Sequence, residues 1–439
     1  MSSNQPGGTN GFQSAGIAYT AAAAVPGQPR RARHKIVAVA DSDSYLKFAC
    51  ATLDALGPEW DREVLLVRSP IAPTREQTTA AVAGTFCAGM TTPVIPVSGL
   101  RTALAGADVI LAAATGPVAE EVYLHASRLT PRPALVSGLP GVAFPATEKA
   151  LQFRSLGDAF ITHSHAECRA FSDLADQLGL QQRVLVSRLP FLKSPARPEP
   201  VEEPLTQVVF APQAKVPVLK DERVAILQAL AALSRRSGYR VRVKLRAWAG
   251  EPQTHLEQHP FDTLWGELVA SRAVAGHELE FCTGSMAEQL VPGTAMVTVS
   301  STAALEAIDA GLPVLILSDF GVNEEMLNRV FVGSGLLGTL ADLKAGHFFH
   351  PEATWLRDNY FHSQTVPLAD LLATYAGRAR AGKLTVDADR LAAAKKRRWR
   401  LRIRTALPMP ALKLIRKLRN VQAEQAAGNS TQTSGQQPA

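Results

Sequence analysis

Cysteine is scarce in this chain. Four occur in 439 residues, Cys50, Cys87, Cys168 and Cys282, without paired spacing, which argues against a disulfide scaffold and fits a reducing compartment. Long apolar runs are absent too: none approaches the roughly 18–20 residues that a membrane-spanning helix needs. A secretory leader is not indicated, because Arg30, Arg31 and Arg33 follow the alanine-rich stretch at 21–24 instead of preceding it. A cytoplasmic protein is expected. No Gly-x-Gly-x-x-Gly follows the first strand-like run, which argues against a dinucleotide cofactor. Acid is missing from one long stretch: residues 391–420 carry eleven Lys or Arg and no Asp or Glu, and setting those eleven aside turns the net charge of +7 into −4 for the remainder. The basicity is therefore local, and any argument for a polyanion or a membrane surface belongs to that segment.

With 46% hydrophobic and 19% charged residues, the composition fits a globular protein, and the length suits two domains plus tails. Residues 1–33, rich in Gly, Ser, Gln, Asn, Ala and Pro, and residues 421–439 read as disordered tails. Between them, short β-type apolar runs alternate with longer helical patterns, the sequence form of parallel α/β architecture. Strands are expected at 35–40, 63–67, 109–113, 134–137, 159–162 and 184–187, with a helix at 45–56. Four prolines (Pro195, Pro198, Pro200, Pro204) then fall within 193–204, which cannot continue a helix or a central strand and reads as a linker. A second alternation follows, with strands at 207–211, 241–245, 279–282, 296–300 and 314–317 and a helix at 221–236. The pattern predicts two Rossmann-like α/β domains, 34–192 and 205–390, that face each other across a cleft at their strand C-termini, where open α/β sheets bind ligands.

Residues with chemical potential gather at those strand ends. Ser285, with Glu288 three residues on, has the form of a capping box and predicts a short helix. The strand at 296–300 runs into Ser300, Ser301 and Thr302, and the helix that follows stops at Gly311, with Pro313 opening the next strand. Hydroxyls and free N–H groups at a helix N-terminus suit a phosphate; the plainer account is that Ser301 or Thr302 only caps the helix. At the end of the first strand, Asp41 or Asp43 is the candidate general base pointing into the cleft, with helix capping by Asp43 or Ser44 as the alternative.

The run SMAEQLVPGTAMVTVSSTAALEAIDAGLPVLIL, residues 285–317, resembles the donor-site segment of GT-B glycosyltransferases, in which a small-residue turn precedes a helix bearing Glu and then Gly-x-Pro-Val. The likeness covers residues 205–345 well and the first half only in layout. It implies a nucleotide-sugar donor, with Glu306 facing the donor's ribose or sugar and Ser300, Ser301 and Thr302 facing its phosphate. Many retaining members carry a second acid eight residues before that Glu. Thr298 stands there, which favours an inverting mechanism with one enzyme base and no required metal.

The same turn is similar to that of capsule-type and sialic acid transferases using CMP-activated sugars, although their His-Pro dipeptide is absent. Lys244 and Arg246 stand at that strand end instead, and Lys215 lies in the loop after the first strand of this half. Each is a candidate cation for the leaving phosphate, or else a solvated surface group. Asp319-Phe320-Gly321 resembles the kinase triplet without a kinase's other motifs; leading into Asn323, that loop is a candidate to close over the donor sugar. The activity implied is transfer of the sugar to a glycan or lipid-linked acceptor for a cell-surface polymer. A non-hydrolysing sugar-nucleotide epimerase and a catalytically silent nucleotide-binding scaffold are the rival readings.

Three further features stand outside that site. Gly138-Leu139-Pro140-Gly141 either lines the acceptor side or is a plain turn. His163, His165 and Cys168 have metal-ligand residue types but no fourth partner nearby in sequence, and no metal is expected. The basic stretch includes Lys396, Arg397, Arg398, Trp399, Arg400 and Arg416, is split by Pro408 and Pro410, and mixes cations with apolar side chains as interfacial helices do. It predicts a peripheral site on the anionic inner face of the plasma membrane; with one interleaved aromatic and no recognisable module, nucleic acid is not the expected partner.

Overall fold

The computed structural model describes residues 33–193, 198–251, 257–363 and 366–406. The two tails read as disordered lie outside the described residues, Arg33 apart. The first sheet is built from β1 (His34–Ala40), α1 (Asp43–Asp54), β2 (Trp60–Val67), α2 (Arg75–Val82), β3 (Val94–Ile95), α3 (Leu100–Ala103), β4 (Val109–Ala113), α4 (Gly116–Ala126), β5 (Ala134–Gly138), α5 (Glu148–Gln152), β6 (Ala159–Thr162), α6 (His165–Gln177) and β7 (Arg183–Val186). Its strands are all parallel, in the order β3-β2-β1-β4-β5-β6-β7. Parallel strands are covered on both faces and so need near-continuous apolar sequence. β4, β5 and β6 supply it, with every residue buried.

The second half holds β8 (Gln207–Phe210), α7 (Lys220–Ser237), β9 (Arg240–Lys244), α8 (Phe261–Ala270), β10 (Leu279–Cys282), β11 (Thr294–Thr298), α9 (Ala303–Asp309), β12 (Val314–Leu317), β13 (Leu337–Gly338), α10 (Leu340–Ala345) and α11 (Ala353–Asp358). Six parallel strands run in the order β10-β9-β8-β11-β12-β13. The strand order reverses between β1 and β4 in one sheet and between β8 and β11 in the other. In open α/β sheets such a reversal forms a crevice at the carboxyl edge. Two parallel α/β halves of the expected kind are therefore present.

Three details depart from the sequence expectation. Ser285 and Glu288 sit in a turn, not a helix, and Gly284 has a positive φ of 94° where a helix would begin. β3 and β13 are two-residue edge strands too short to show a periodicity. The third departure concerns the boundary at 390. After α11 the chain crosses back, and α12 (Leu368–Arg380) and α13 (Ala388–Ala406) cover the first sheet. Leu372, Tyr375, Ala376 and Ala379 pack in one core with Ile36 and Ala38 of β1, while Ala394 joins Val122 and Tyr123 on the other face. Arg380 donates from Nε and Nη2 to Asp108 at 2.8 and 2.7 Å, which fixes the α12 end against the start of β4.

The return crossing is itself tied down. Tyr360 and Phe361 are fully buried in the second half's core. The Tyr360 hydroxyl donates to Glu167 at 2.6 Å, and Glu167 also accepts from the backbone N–H groups of Ala143 and His163. His362 Nε2 lies 3.2 Å from the His163 carbonyl oxygen. On the outward crossing, Lys193 N–H donates to Asp309 at 2.6 Å and Val201 N–H to the Gly311 carbonyl at 2.9 Å.

Candidate active site in the interdomain cleft

The first helix brings charge to the cleft. α1 starts at Asp43, and Lys47 stands one turn later on the same face, while Leu46, Phe48, Ala49 and Cys50 turn into the core. From the opposite half, Glu306 projects from α9 and Arg246 follows β9. The two halves meet through these groups. Lys47 Nζ lies 2.8 Å from Glu306 Oε1, and Arg246 Nε lies 3.9 Å from Asp43 Oδ2. Each pair joins an acid of one half to a cation of the other, with opposite sense. Phe191, on the outward crossing, lies under the Lys47 ammonium at 4.5 Å from the ring centroid.

Lys244 completes the cluster at the end of β9. Burial lowers its pKa from the ordinary 10.5, the neighbouring Arg246 and Lys47 lower it further, and Glu306 opposes them. Among the described residues no carboxylate lies within ion-pair distance of it. It is a half-buried ammonium beside two other cations, Arg246 and Lys47.

Apolar and close-packed contacts hold the halves around this charge. Val142, Phe144 and Phe191 pack against the second half's core. At Gly141, in the loop after β5, a Cβ would stand 2.3 Å from the Thr302 hydroxyl oxygen, so only glycine lets the loop approach the β11–α9 turn this closely. The loop is thus more than a plain turn, since it packs against the β11–α9 turn of the other half.

The predicted site residues separate into two groups. Asp43, Lys244, Arg246 and Glu306 converge, and Ser301 and Thr302 border them through the same turn and helix. The Ser301 hydroxyl accepts from Ala303 N–H at 3.2 Å, as a local cap, whereas Thr302 makes no side-chain cap bond. Asp41 is different. It is fully buried, accepting from Thr115 N–H at 3.1 Å to both carboxylate oxygens and from the Thr115 hydroxyl. Burial raises its pKa, against the Thr115 hydrogen bonds and the Arg154 charge. Its carboxylate joins the end of β1 to the start of α4, so it cannot reach an acceptor, and the assignment as base is withdrawn.

Ser300 is also committed elsewhere: buried, it donates to the Leu327 carbonyl at 2.7 Å and secures the loop after β12. In that loop Asp319 accepts from Leu340 N–H at 2.8 Å, tying the loop to the start of α10, and Asn323 accepts from Met326 N–H at 2.8 Å, holding a local turn. Lys215 is exposed beyond β8, and its backbone N–H is turned to the Gln213 side chain at 2.5 Å. His163 has its ring nitrogens 3.0 Å from the Ser187 carbonyl oxygen and 2.8 Å from that of Leu139, and the His165 ring lies against His362. Among the described residues no group of three His, Cys, Asp or Glu side chains could hold a metal.

Sequence reasoning missed Lys47, although its place four residues after Asp43 puts both on one helical face. It also missed Arg154, a buried cation that donates to Ser137, Tyr45 and the Ala114 carbonyl beneath the first crevice. Nothing in the local sequence signals that role.

A family model described as "Putative glycosyltransferase (DUF6716)" matches residues 36–376, spanning both sheets and the cleft between them. The chain belongs to this family. No curated protein matches it. Among solved structures, MnaA of S. aureus in a co-structure with UDP superposes with a TM-score of 0.50 at 11% identity, over 80% of this chain and 98% of that one. UDP-GlcNAc 2-epimerase from Neisseria meningitidis bound to UDP-GlcNAc gives 0.46 at 10%, over 79% and 99%. The O-GlcNAc transferase of Thermobaculum terrenum gives 0.37 at 16%, over 88% and 72%. At such identities the likeness shows the fold alone, which is of the GT-B type.

The different fates of the two aspartates can be measured. Asp41→Ala strands the Thr115 N–H in the interior and should lower the unfolding free energy by about 1–3 kcal/mol. Asp43→Ala should change it by no more than about 0.5 kcal/mol. Denaturant titration of both variants checks this; equal, small losses would return Asp41 to candidacy as a base.

Proposed function

We propose that this chain is an inverting glycosyltransferase that moves a sugar from a nucleotide-activated donor to a glycan or lipid-linked acceptor in cell-surface polysaccharide synthesis. The observation that carries the reading is the approach of Asp43 to Arg246 across the two crevices, with Lys244 and Glu306 beside them. Asp43 takes the proton of the acceptor hydroxyl while that oxygen attacks the anomeric carbon, and the bond from that carbon to the nucleotide phosphate breaks. Lys244, Arg246 and the Ser301–Thr302 turn receive the charge that develops on the departing phosphate. Glu306 orients the donor through its hydroxyls. Thr298 is buried and gives its hydroxyl to the Ala211 carbonyl at 2.7 Å, so the place of a second acid is taken by a strand residue, which supports a single displacement with one base. Lysine and arginine supply the positive charge, and the reading needs no metal or organic cofactor.

The decisive experiment offers UDP-, GDP- and CMP-sugars with and without membrane extract and follows nucleotide release and product mass. UDP comes first because the S. aureus neighbour was captured with it. The expected result is release that depends on the extract. Isomerised donor without extract would instead indicate a sugar-nucleotide epimerase, binding without turnover a silent scaffold, and no binding at all would reject the donor site. In the same assay Ser301→Ala with Thr302→Ala should keep the fold and weaken donor binding by about 1.5–3 kcal/mol.

Donor affinity should also depend on pH through Lys244. Its folded pKa lies below 10.5, so the ammonium is lost at a lower pH than an exposed lysine would lose it, and the phosphate contact is lost with it. Affinity should therefore fall as pH rises through that lowered pKa. Lys244→Arg should move the fall to higher pH; an unchanged profile would remove Lys244 from the phosphate site.

Peripheral membrane binding belongs to the same proposal, with a smaller set of residues. Arg397 pairs with Glu120 at 2.6 Å and Arg398 with Glu121 at 2.5 Å, so these two dock α13 on α4 and are withdrawn from the membrane face. Lys396, Trp399 and Arg400 remain exposed, Trp399 at 63%; Arg416 lies outside the described residues. Among the described residues no helix is long and apolar enough to cross a membrane. Each cation near an anionic leaflet contributes about 1 kcal/mol. Lys396→Glu, Trp399→Ala and Arg400→Glu together should release the protein from anionic vesicles in co-sedimentation at low salt. Wild-type protein that stays in the supernatant would end the membrane reading.

A further inference from the structure

We infer that Lys47, on the N-terminal half, is a third cation for the donor phosphate and the residue through which that half grips a donor seated on the other. This rests on the donor-site reading above and adds to it a residue that neither the motif nor the family likeness assigns.

Lys47 Nζ is held 2.8 Å from Glu306 Oε1, and the two side chains are 35% and 19% exposed. The pair is therefore open to an incoming ligand rather than sealed in a core. Its ammonium lies 4.5 Å from the Phe191 ring centroid, a contact that keeps the side chain in the cleft instead of in solvent. Lys244 and Arg246 stand close enough for their charges to act on one another and on Lys47. Among the described residues of the cluster, Asp43 and Glu306 carry two negative charges against the three positive ones of Lys47, Lys244 and Arg246.

A nucleoside diphosphate brings more negative charge than the Glu306 carboxylate does. An ammonium has three donors and no fixed plane, so Lys47 can turn one of them to phosphate oxygen while Glu306 accepts hydroxyls of the donor. Arg246, drawn to the same phosphate, relaxes its hold on Asp43. Donor entry thus replaces two protein–protein ion pairs with protein–ligand ones. No covalent bond changes in this step.

Calorimetry on the full chain with UDP and with uridine, for wild type, Lys47→Ala and Lys47→Arg, tests the assignment. Lys47→Ala should weaken UDP binding about tenfold or more, the cost of one charge-assisted contact, and flatten its dependence on ionic strength. It should leave uridine binding within about twofold, and Lys47→Arg should restore most of the UDP affinity. Wild-type protein that binds none of UDP, GDP or CMP would overturn the donor-site reading itself. If wild type binds, the inference about Lys47 is overturned by Lys47→Ala binding UDP as wild type does with an unchanged salt dependence, or by uridine affinity falling as far as UDP affinity, since a strut whose loss only loosens the cleft would weaken both.

Discussion

A parallel sheet needs apolar cover on both faces, and that requirement organises this molecule. The first sheet's own crossover helices do not complete the cover. α12 and α13 finish it, carried back from beyond the second sheet by a segment anchored at Tyr360, Phe361 and His362. The chain therefore passes between the halves twice, and both passages are pinned by buried or backbone hydrogen bonds. The first half is thus partly built from the far end of the chain. The cleft inherits its geometry from that double crossing, since the two carboxyl edges cannot drift apart without loosening helices that belong to the first half's core.

The same requirement explains what could be read in the sequence. Strands buried on both faces are apolar runs, so β1, β4, β5, β6, β8, β11 and β12 stood out within a residue or two. The β11–turn–α9 segment was legible because Gly311, with φ of 71°, ends the helix in a conformation that suits glycine. Destination was not legible. The apolar stripe of α12 says that it packs, yet nothing in it says against which sheet. Asp41 and Asp43 looked alike as carboxylates at a strand mouth; what separates them is Thr115, distant in sequence and brought close by the β1–β4 pairing. Arg397 and Arg398 read as free cations for the same reason, since their partners Glu120 and Glu121 lie on a helix far upstream.

Charge and apolar contact divide the work at the cleft. Ion pairs with partial exposure contribute about 0–1 kcal/mol each, so neither Lys47–Glu306 nor Arg246–Asp43 holds the halves together to any large extent. Val142, Phe144 and Phe191, the close approach of Gly141 to Thr302, and the two crossings do that. The ion pairs are thus weak enough to exchange for a ligand without unfolding the interface around them. A buried, fully satisfied network such as Asp41–Thr115 beside Arg154 could not be exchanged in this way, because removing one partner leaves a buried polar group unpaired at a cost of about 1–3 kcal/mol. The molecule places its costly polar groups in the interior of the first half, as scaffolding, and its replaceable ones between the halves, where they are partly exposed.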